Sequence, residues 1–252
     1  MTESGPIFLP QGFKFSSATA GIKASGKPDL ALILADRPTS AAALFTKNFV
    51  TAAPVEVGRG SLVKSHGLVR AVIVNSGNAN CATGRAGMRA CKKVCRDLAQ
   101  FLNIKPVEVF PSSTGIIGVP LPVEKISAQL KSLLEKSGAS PDHFRQFASA
   151  VLTTDTRLKL ASIPLRNGKA AVTGVAKGSG MIHPQLATML VYLLTDAIAT
   201  PAELRRSLRN ACAETFNTIS IDGDTSTNDT VLLLASGASG VDRKSTRLNS
   251  SH

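Results

Sequence analysis

Val69-Arg-Ala-Val-Ile-Val74 is a short apolar run rich in β-branched residues, and it ends at the polar, glycine-containing turn that follows. Such a run reads as a buried strand. Between Gly87 and Leu102 the apolar positions Cys91, Val94, Cys95, Leu98 and Leu102 recur every three or four residues, which marks one face of an amphipathic helix. Val107-Glu-Val-Phe110 then reads as a second strand running into the loop Pro111-Ser-Ser-Thr-Gly115. The alternation continues outward in both directions. Leu30-Ala-Leu-Ile-Leu-Ala35, Ala171-Val-Thr-Gly-Val-Ala176 and Met189-Leu-Val-Tyr-Leu-Leu194 are strand candidates. A helix starts near Pro122, with Ile126, Leu130, Leu133 and Leu134 on its inner face, and ends at Gly138. Ser140-Pro141-Asp142 supplies a cap, a first-turn proline and an early acid for another helix. Thr200-Pro201-Ala202-Glu203 is a capping box, and Leu204, Leu208, Ala211 and Cys212 form the inner face behind it. Interleaved strands and helices predict an α/β or α+β class, a sheet covered by helices.

Length and composition narrow the function classes. At 252 residues the chain can bury a sizeable core, and 43% hydrophobic with 18% charged residues is a globular balance. The formal charge is +12, but Arg85, Arg89, Lys92, Lys93 and Arg96, like Arg205, Arg206 and Arg209, recur at helical spacing and read as solvated helix faces. Aromatic residues are only 4% and Trp is absent, which argues against the stacking platforms of a single-stranded nucleic-acid binder. No nucleic-acid partner is expected. No run approaches the roughly 18 apolar residues of a membrane span, and Met1-Thr-Glu-Ser-Gly5 lacks the start of a signal peptide. The chain reads as cytoplasmic, with no membrane partner. Cys91 and Cys95 stand one helical turn apart with only Cys81 nearby, so buried free thiols are expected rather than a metal site.

Residues 242–252, Asp-Arg-Lys-Ser-Thr-Arg-Leu-Asn-Ser-Ser-His, break with what precedes them. One codon choice for them spells a common sequencing adapter read in frame, so they are read as a non-native tail. Without that tail's one Asp, two Arg and one Lys the charge is +10.

Two stretches invite chemistry. In Gly174-Val-Ala-Lys-Gly-Ser-Gly-Met-Ile-His-Pro-Gln-Leu-Ala-Thr-Met-Leu190, glycines and a proline crowd before a strand that opens on a threonine after a small residue. Such a threonine can attack the carbonyl before it. The resulting ester hydrolyses and leaves a free α-amine beside the hydroxyl, able to serve as its base. On spacing alone, a glycine-rich hairpin with an ordinary strand threonine is the simpler reading. In Ser112-Ser-Thr-Gly-Ile-Ile-Gly118 a hydroxyl and a backbone N–H stand side by side and could hold a developing oxyanion. The plain alternative is a strand-to-helix turn. Neither a Gly-x-Ser-x-Gly elbow nor a P-loop is present in the required order.

These stretches, with Val74-Asn-Ser-Gly-Asn-Ala-Asn-Cys-Ala-Thr-Gly84, Thr153-Thr-Asp-Thr156, Lys177-Gly-Ser-Gly-Met-Ile-His-Pro184, Leu186-Ala-Thr-Met-Leu190 and Asp222-Gly-Asp-Thr-Ser-Thr-Asn-Asp229, occur in one order along the chain. Together they resemble the ornithine acetyltransferase / glutamate N-acetyltransferase family of arginine biosynthesis, the ArgJ family. The resemblance implies the layered sheet-and-helix fold of the self-processing ornithine acetyltransferase and DmpA-like class. It also implies cleavage between Ala187 and Thr188, giving an α-chain region of residues 1–187 and a β-chain region that starts at 188 and is truncated at 241. Thr188 would be the nucleophile that carries acetyl from N-acetylornithine to glutamate. Thr114 and Gly115 match the oxyanion pair, and Thr154, Lys177 and Thr188 match substrate-binding positions. No metal or organic cofactor is implied, acetyl-CoA is left open as a second donor, and the mature assembly would pair two α with two β chains. The family's later Gly-Glu-Gly-Ala-Thr-Lys-type segment has no counterpart here, so residues 1–252 alone are expected to be inactive as a transferase; normal turnover by that purified chain would refute this. A related aminopeptidase or amidase is the rival of the same chemistry, and a basic nucleic-acid binder the rival of another class.

Overall fold

Two parallel strand pairs, each closed by a helix, organise the chain. A parallel pair cannot be joined by a tight turn and needs a crossover of a dozen or more residues. The computed structural model describes residues 5–179, 189–216 and 226–242. In chain order these form β1 (Phe13–Ala18), β2 (Leu30–Phe45), α1 (Ala53–Lys64), β3 (Leu68–Asn78), α2 (Gly84–Leu102), β4 (Val109–Ile116), α3 (Val123–Glu135), α4 (Pro141–Ala150), β5 (Lys159–Leu165), β6 (Ala170–Lys177), β7 (Leu190–Thr195), α5 (Pro201–Glu214) and β8 (Thr230–Ala235). The sheet order is β4-β3-β2-β8-β7-β6-β5, with β1 also on β2. β3 and β4 are parallel across α2, and β7 and β8 are parallel across α5. The remaining pairs are antiparallel.

β2 joins the two halves. Its first part pairs with β1 and β3, the register against β3 shifts between Leu34 and Thr39, and its last part pairs with β8. Side chains alternate across it with the two-residue period of a strand. Leu30 and Leu32, with Ala71 and Ile73 of β3, pack against Val94, Cys95 and Leu98 of α2 and Ile126, Leu130 and Leu133 of α3. Ala31 and Ile33, with Val72 and Val74, face the other way into a core shared with Tyr192 and Leu194 of β7 and Leu232 and Leu234 of β8. Both halves of the sheet thus face one core. Aromatic rings close it: Phe147 of α4 meets Tyr192 with centroids 5.5 Å apart, and Phe45 of β2 stacks on Phe110 of β4 at 6.1 Å. Leu204 and Leu208 of α5 cover the outer side of the β2–β8–β7 half. The expected α+β sheet-and-helix class holds.

Several local expectations hold for local reasons. The Ser140 side chain accepts the His143 N–H at the start of α4, and Thr200 and Glu203 make the reciprocal capping box of α5. All four cysteines are free and buried. The exceptions are physical. Ala211 is exposed rather than on the inner face of α5. Residues 106–108 form a 3-10 turn, and the strand begins at Val109 and runs through the stretch expected to be a loop. Ile73 to Gly77 pair with Pro111 to Gly115 in parallel register. Pro111 is tolerated because β4 has only one neighbour, so its missing N–H leaves no ladder partner waiting.

Candidate active site

The C-terminal ends of β3 and β4 and the last residue of β6 converge. Asn75, Ser76 and Asn78 of β3 and Ser112, Ser113 and Thr114 of β4 are all buried, whereas Gly115 is exposed. The boundary with solvent therefore falls within the stretch where the oxyanion pair was expected. A polar lattice fixes this end of the sheet. Ser113 Oγ donates to Asn75 Oδ1 at 2.6 Å, and Asn75 Nδ2 donates to the Asn78 carbonyl at 2.8 Å. Asn228 Nδ2 donates to the Ala79 carbonyl at 2.7 Å and to the Ser113 carbonyl at 2.9 Å. Buried amides satisfied in this way hold a strand end rigidly, because any movement would strand a polar group away from water.

Gly115 makes that end possible. Its φ is +133°, and a Cβ placed there would fall on the backbone of Gly77, 2.5 Å from Asn78 N. Gly118 also has positive φ, +83°, but a Cβ there would meet nothing within 4 Å. Gly115→Ala is therefore expected to cost about 3 kcal/mol or more, from clash added to backbone strain, and Gly118→Ala only about 1–2 kcal/mol. Thermal unfolding of the two variants separates them, and equal losses would contradict the close approach.

Lys177 ends β6 and is 4% exposed. Its Nζ donates to Thr114 Oγ1. Since the hydroxyl oxygen accepts from an ammonium, the hydroxyl hydrogen is left to donate elsewhere, and the charge polarises it. Just beyond, the Gly178 N–H donates to Asp155 Oδ1 at 2.8 Å, and Lys159 Nζ donates to the same oxygen at 2.6 Å. Thr154 is exposed and shares a 2.6 Å hydrogen bond with Ser179. Thr114, Gly115 and Lys177 thus lie together, and Thr154 joins them through the residues that follow Lys177. Ala187 and Thr188 lie outside the described residues, as do 180–186 and 222–225 of the quoted motifs. What is described is the next residue: Met189 N–H donates to Asp229 Oδ1 at 2.9 Å, and its carbonyl accepts the Thr230 N–H at 3.0 Å.

The sequence profile of the ArgJ family matches residues 14–251. The arginine biosynthesis bifunctional protein ArgJ of Chlorobaculum tepidum is 47% identical over 236 residues, covering 93% of this chain and 58% of that protein. The chain belongs to the ArgJ family. It spans less than two thirds of the length of such relatives; the ArgJ protein of Thermus thermophilus, also 47% identical, is covered to 59%. Among solved structures, the ornithine acetyltransferase of Mycobacterium tuberculosis complexed with ornithine aligns with TM-score 0.67 at 32% identity, over 75% of this chain and 98% of that one. An L-aminopeptidase D-Ala-esterase/amidase of Ochrobactrum anthropi, described as a variant of the Ntn hydrolase fold, aligns with TM-score 0.57 over 94% of this chain at 11% identity, a likeness of fold alone.

Three titratable groups surround the meeting point in this ArgJ-family chain. Burial pulls the Lys177 ammonium down to about 8, with Asp155 and Asp229 working against that fall. Burial also acts to raise Asp155, but the hydrogen bonds from Lys159 and the Gly178 N–H outweigh it and hold the carboxyl below its ordinary range. Burial pushes Asp229 up to about 8, only partly offset by the Met189 N–H. Among the described residues, Asp155 Oδ2 and Asp229 Oδ2 are buried with no hydrogen-bond partner. Among the described residues no three of His, Cys, Asp and Glu converge as metal donors. Asp155 and Asp229 belong to the quoted motifs, but their burial beside Lys177 is visible only in three dimensions.

The raised Asp229 has a consequence for stability. Between its ordinary value of 3.8 and about 8 the folded chain holds a proton that the unfolded chain has released. Stability from this group is therefore full at acid pH and lost as pH rises toward 8, with a slope of at most about 1.4 kcal/mol per pH unit. Asp229→Asn keeps an acceptor for the Met189 N–H and removes this component, so its stability should fall less between pH 5 and pH 8 than the parent's. Urea unfolding at both pH values checks it, and parallel profiles would contradict it.

Proposed function

We propose that this chain carries the nucleophile and oxyanion site of an acetyltransferase that moves acetyl from N2-acetyl-L-ornithine to L-glutamate, after self-cleavage between Ala187 and Thr188. The observation that carries the reading is the buried Lys177–Thr114 hydrogen bond at the end of the β-sheet where β7 begins, two residues after Thr188. Family membership and the solved relative with ornithine support the substrate class. The lengths support cleavage: the polypeptide in that crystal is almost fully covered by three quarters of this chain, whereas the curated relatives extend well beyond it.

In the self-cleavage, Thr188 Oγ attacks the Ala187 carbonyl carbon, the C–N bond breaks, and the nitrogen takes the hydroxyl proton to become the Thr188 α-amine. Water then hydrolyses the ester, leaving the Ala187 carboxylate and a free hydroxyl. In transfer, the α-amine accepts the hydroxyl proton while Oγ attacks the acetyl carbonyl of acetylornithine. Ornithine leaves with that proton on its nitrogen, and acetyl-Thr188 remains. The glutamate amine attacks the ester and restores the hydroxyl. Each attack places negative charge on a carbonyl oxygen, which the Thr114 hydroxyl and the Gly115 N–H are assigned to hold. Lys177, with Thr154, is assigned to the substrate, its cation facing a carboxylate. Acetyl-CoA as a second donor and an assembly of two α and two β chains belong to the same proposal.

The test uses the protein carried to the length of its relatives. Mixed with acetyl-labelled N-acetylornithine, it is expected to show one labelled acetyl on the fragment that begins at Thr188, chased to glutamate on adding that acceptor. Label passing only to water would favour the amidase chemistry instead, and absence of any labelled fragment would remove the acyl-enzyme. Substituting labelled acetyl-CoA reads out the second donor.

A further inference from the structure

Behind the oxyanion turn lies a cation that the sequence motifs leave without a task. Asp29, fully buried, accepts the backbone N–H groups of Ala20 at 2.6 Å, Ile22 at 2.5 Å and Lys23 at 2.9 Å, which fixes the loop between β1 and β2. That loop lays the Lys23 stem against Gly77, where a Cβ would come within 3.0 Å of Lys23 Cγ. Gly77 is the same residue whose backbone Gly115 abuts. Lys23, with Ile22 beside it, therefore packs on Gly77, and Gly77 packs on Gly115. The far end of Lys23 is also fixed. Its Nζ donates to the Pro28 carbonyl at 2.8 Å and to the Ala150 carbonyl at 3.1 Å, and Ser76 Oγ donates to that same Ala150 carbonyl at 2.5 Å. Ala150 is the last residue of α4, where a cation is favoured by the helix dipole, and the segment after it carries Thr154 and Asp155.

We propose that Lys23 is a positioning residue of this site: it backs the Gly77–Gly115 contact and ties the end of α4 to the end of β3. The inference rests on the acetyl-transfer reading above. Around Lys177, Asp155 and Asp229 favour the charged form, whereas Lys159 and, least of these, Lys23 oppose it. Removing the Lys23 charge therefore moves Lys177 upward. If the Lys177 cation holds substrate, the alkaline limb of the activity profile moves with it.

The experiment follows acetyl transfer from N-acetylornithine to glutamate in the full-length protein, on both sides of pH 8, for the parent, Lys23→Met and Lys23→Arg, with thermal unfolding measured beside it. Lys23→Met is expected to lower kcat by about 10- to 100-fold, the scale of a small misplacement of reacting groups. KM should change by less than about 3-fold, and the alkaline limb should move to higher pH. Lys23→Arg should restore both kcat and the limb. Parent-like kcat and an unmoved limb in Lys23→Met would overturn the proposal, as would a loss of kcat that leaves the limb in place and that Arg does not restore. Should Lys23→Met not unfold cooperatively, Lys23→Gln takes its place with the same readouts. A parent that transfers no acetyl would overturn the functional reading itself, and Lys23 with it; a parent that transfers acetyl while the variants match it overturns Lys23 alone.

Discussion

Thr188→Ala is expected to keep the polypeptide in one piece and to end acetyl transfer. Alanine has no oxygen to attack the Ala187 carbonyl, so the 187–188 bond stays intact and no α-amine is released. Both the nucleophile and its base are then absent, and transfer is expected to fall by on the order of 10⁴-fold or more, the scale of removing a catalytic nucleophile. Thr188→Ser keeps the oxygen and should still cleave. Gel electrophoresis with N-terminal sequencing reads the result: the parent and the serine variant yield a fragment beginning Thr-Met-Leu or Ser-Met-Leu, and the alanine variant yields none. Cleavage at the same bond in Thr188→Ala would end the proposal, because hydrolysis would then not need this side chain.

The second large effect falls on Thr114. Valine matches threonine in shape but cannot donate, so Thr114→Val is expected to lower transfer by about 100- to 1000-fold while KM moves little. Self-cleavage should slow as well, since the same kind of oxyanion forms there. The substitution also strips Lys177 Nζ of its hydroxyl partner inside a buried setting. A buried ammonium that loses an acceptor costs about 1–3 kcal/mol and drifts further toward the neutral amine. If the Lys177 cation holds substrate, the alkaline limb of activity should accordingly move to lower pH in Thr114→Val, the direction opposite to Lys23→Met. Single-turnover formation of acetyl-enzyme isolates the chemical step. A rate within about 3-fold of the parent would remove Thr114 from oxyanion stabilisation.

Elements whose signal is local were legible in the chain. α2 shows its buried stripe in Cys91, Val94, Cys95 and Leu98, and α4 and α5 announce their first turns through Ser140 and Thr200. Elements that owe their existence to a partner were not. α1 fully buries Pro54, Val55, Gly58 and Ser61, a mixed face that gives only a weak helical signal; Gly58 lets it approach the Phe110 ring, with a Cβ there only 3.1 Å from ring carbons. In β2 only Leu30–Ala35 was legible as a strand; Asp36-Arg-Pro38 falls in the register shift, and the strand resumes at Thr39 and Ser40 against β3 and runs through Ser40–Phe45 against β8. The Pro-Ser-Ser-Thr-Gly stretch has turn composition, yet an edge position beside β3 makes it strand.

The candidate site divides in the same way. By itself the sequence determined the family, the alternation of strands and helices, and the residue types that could act: a threonine beside a glycine at 114–115, a lysine at 177, a threonine at 188 after a small residue. Those follow from the order of side chains along the chain, which is what motifs and capping signals encode. Only the tertiary structure decided that Lys177 reaches Thr114 across 63 positions of sequence, that Asp229 holds the amide of Met189, and that Lys23 stands behind Gly77 and Gly115. Spacing along a chain carries no record of which strand ends share one edge of a sheet. Burial, which moves Lys177 and Asp229 toward a common value near 8, comes from everything packed around them and from no residue alone.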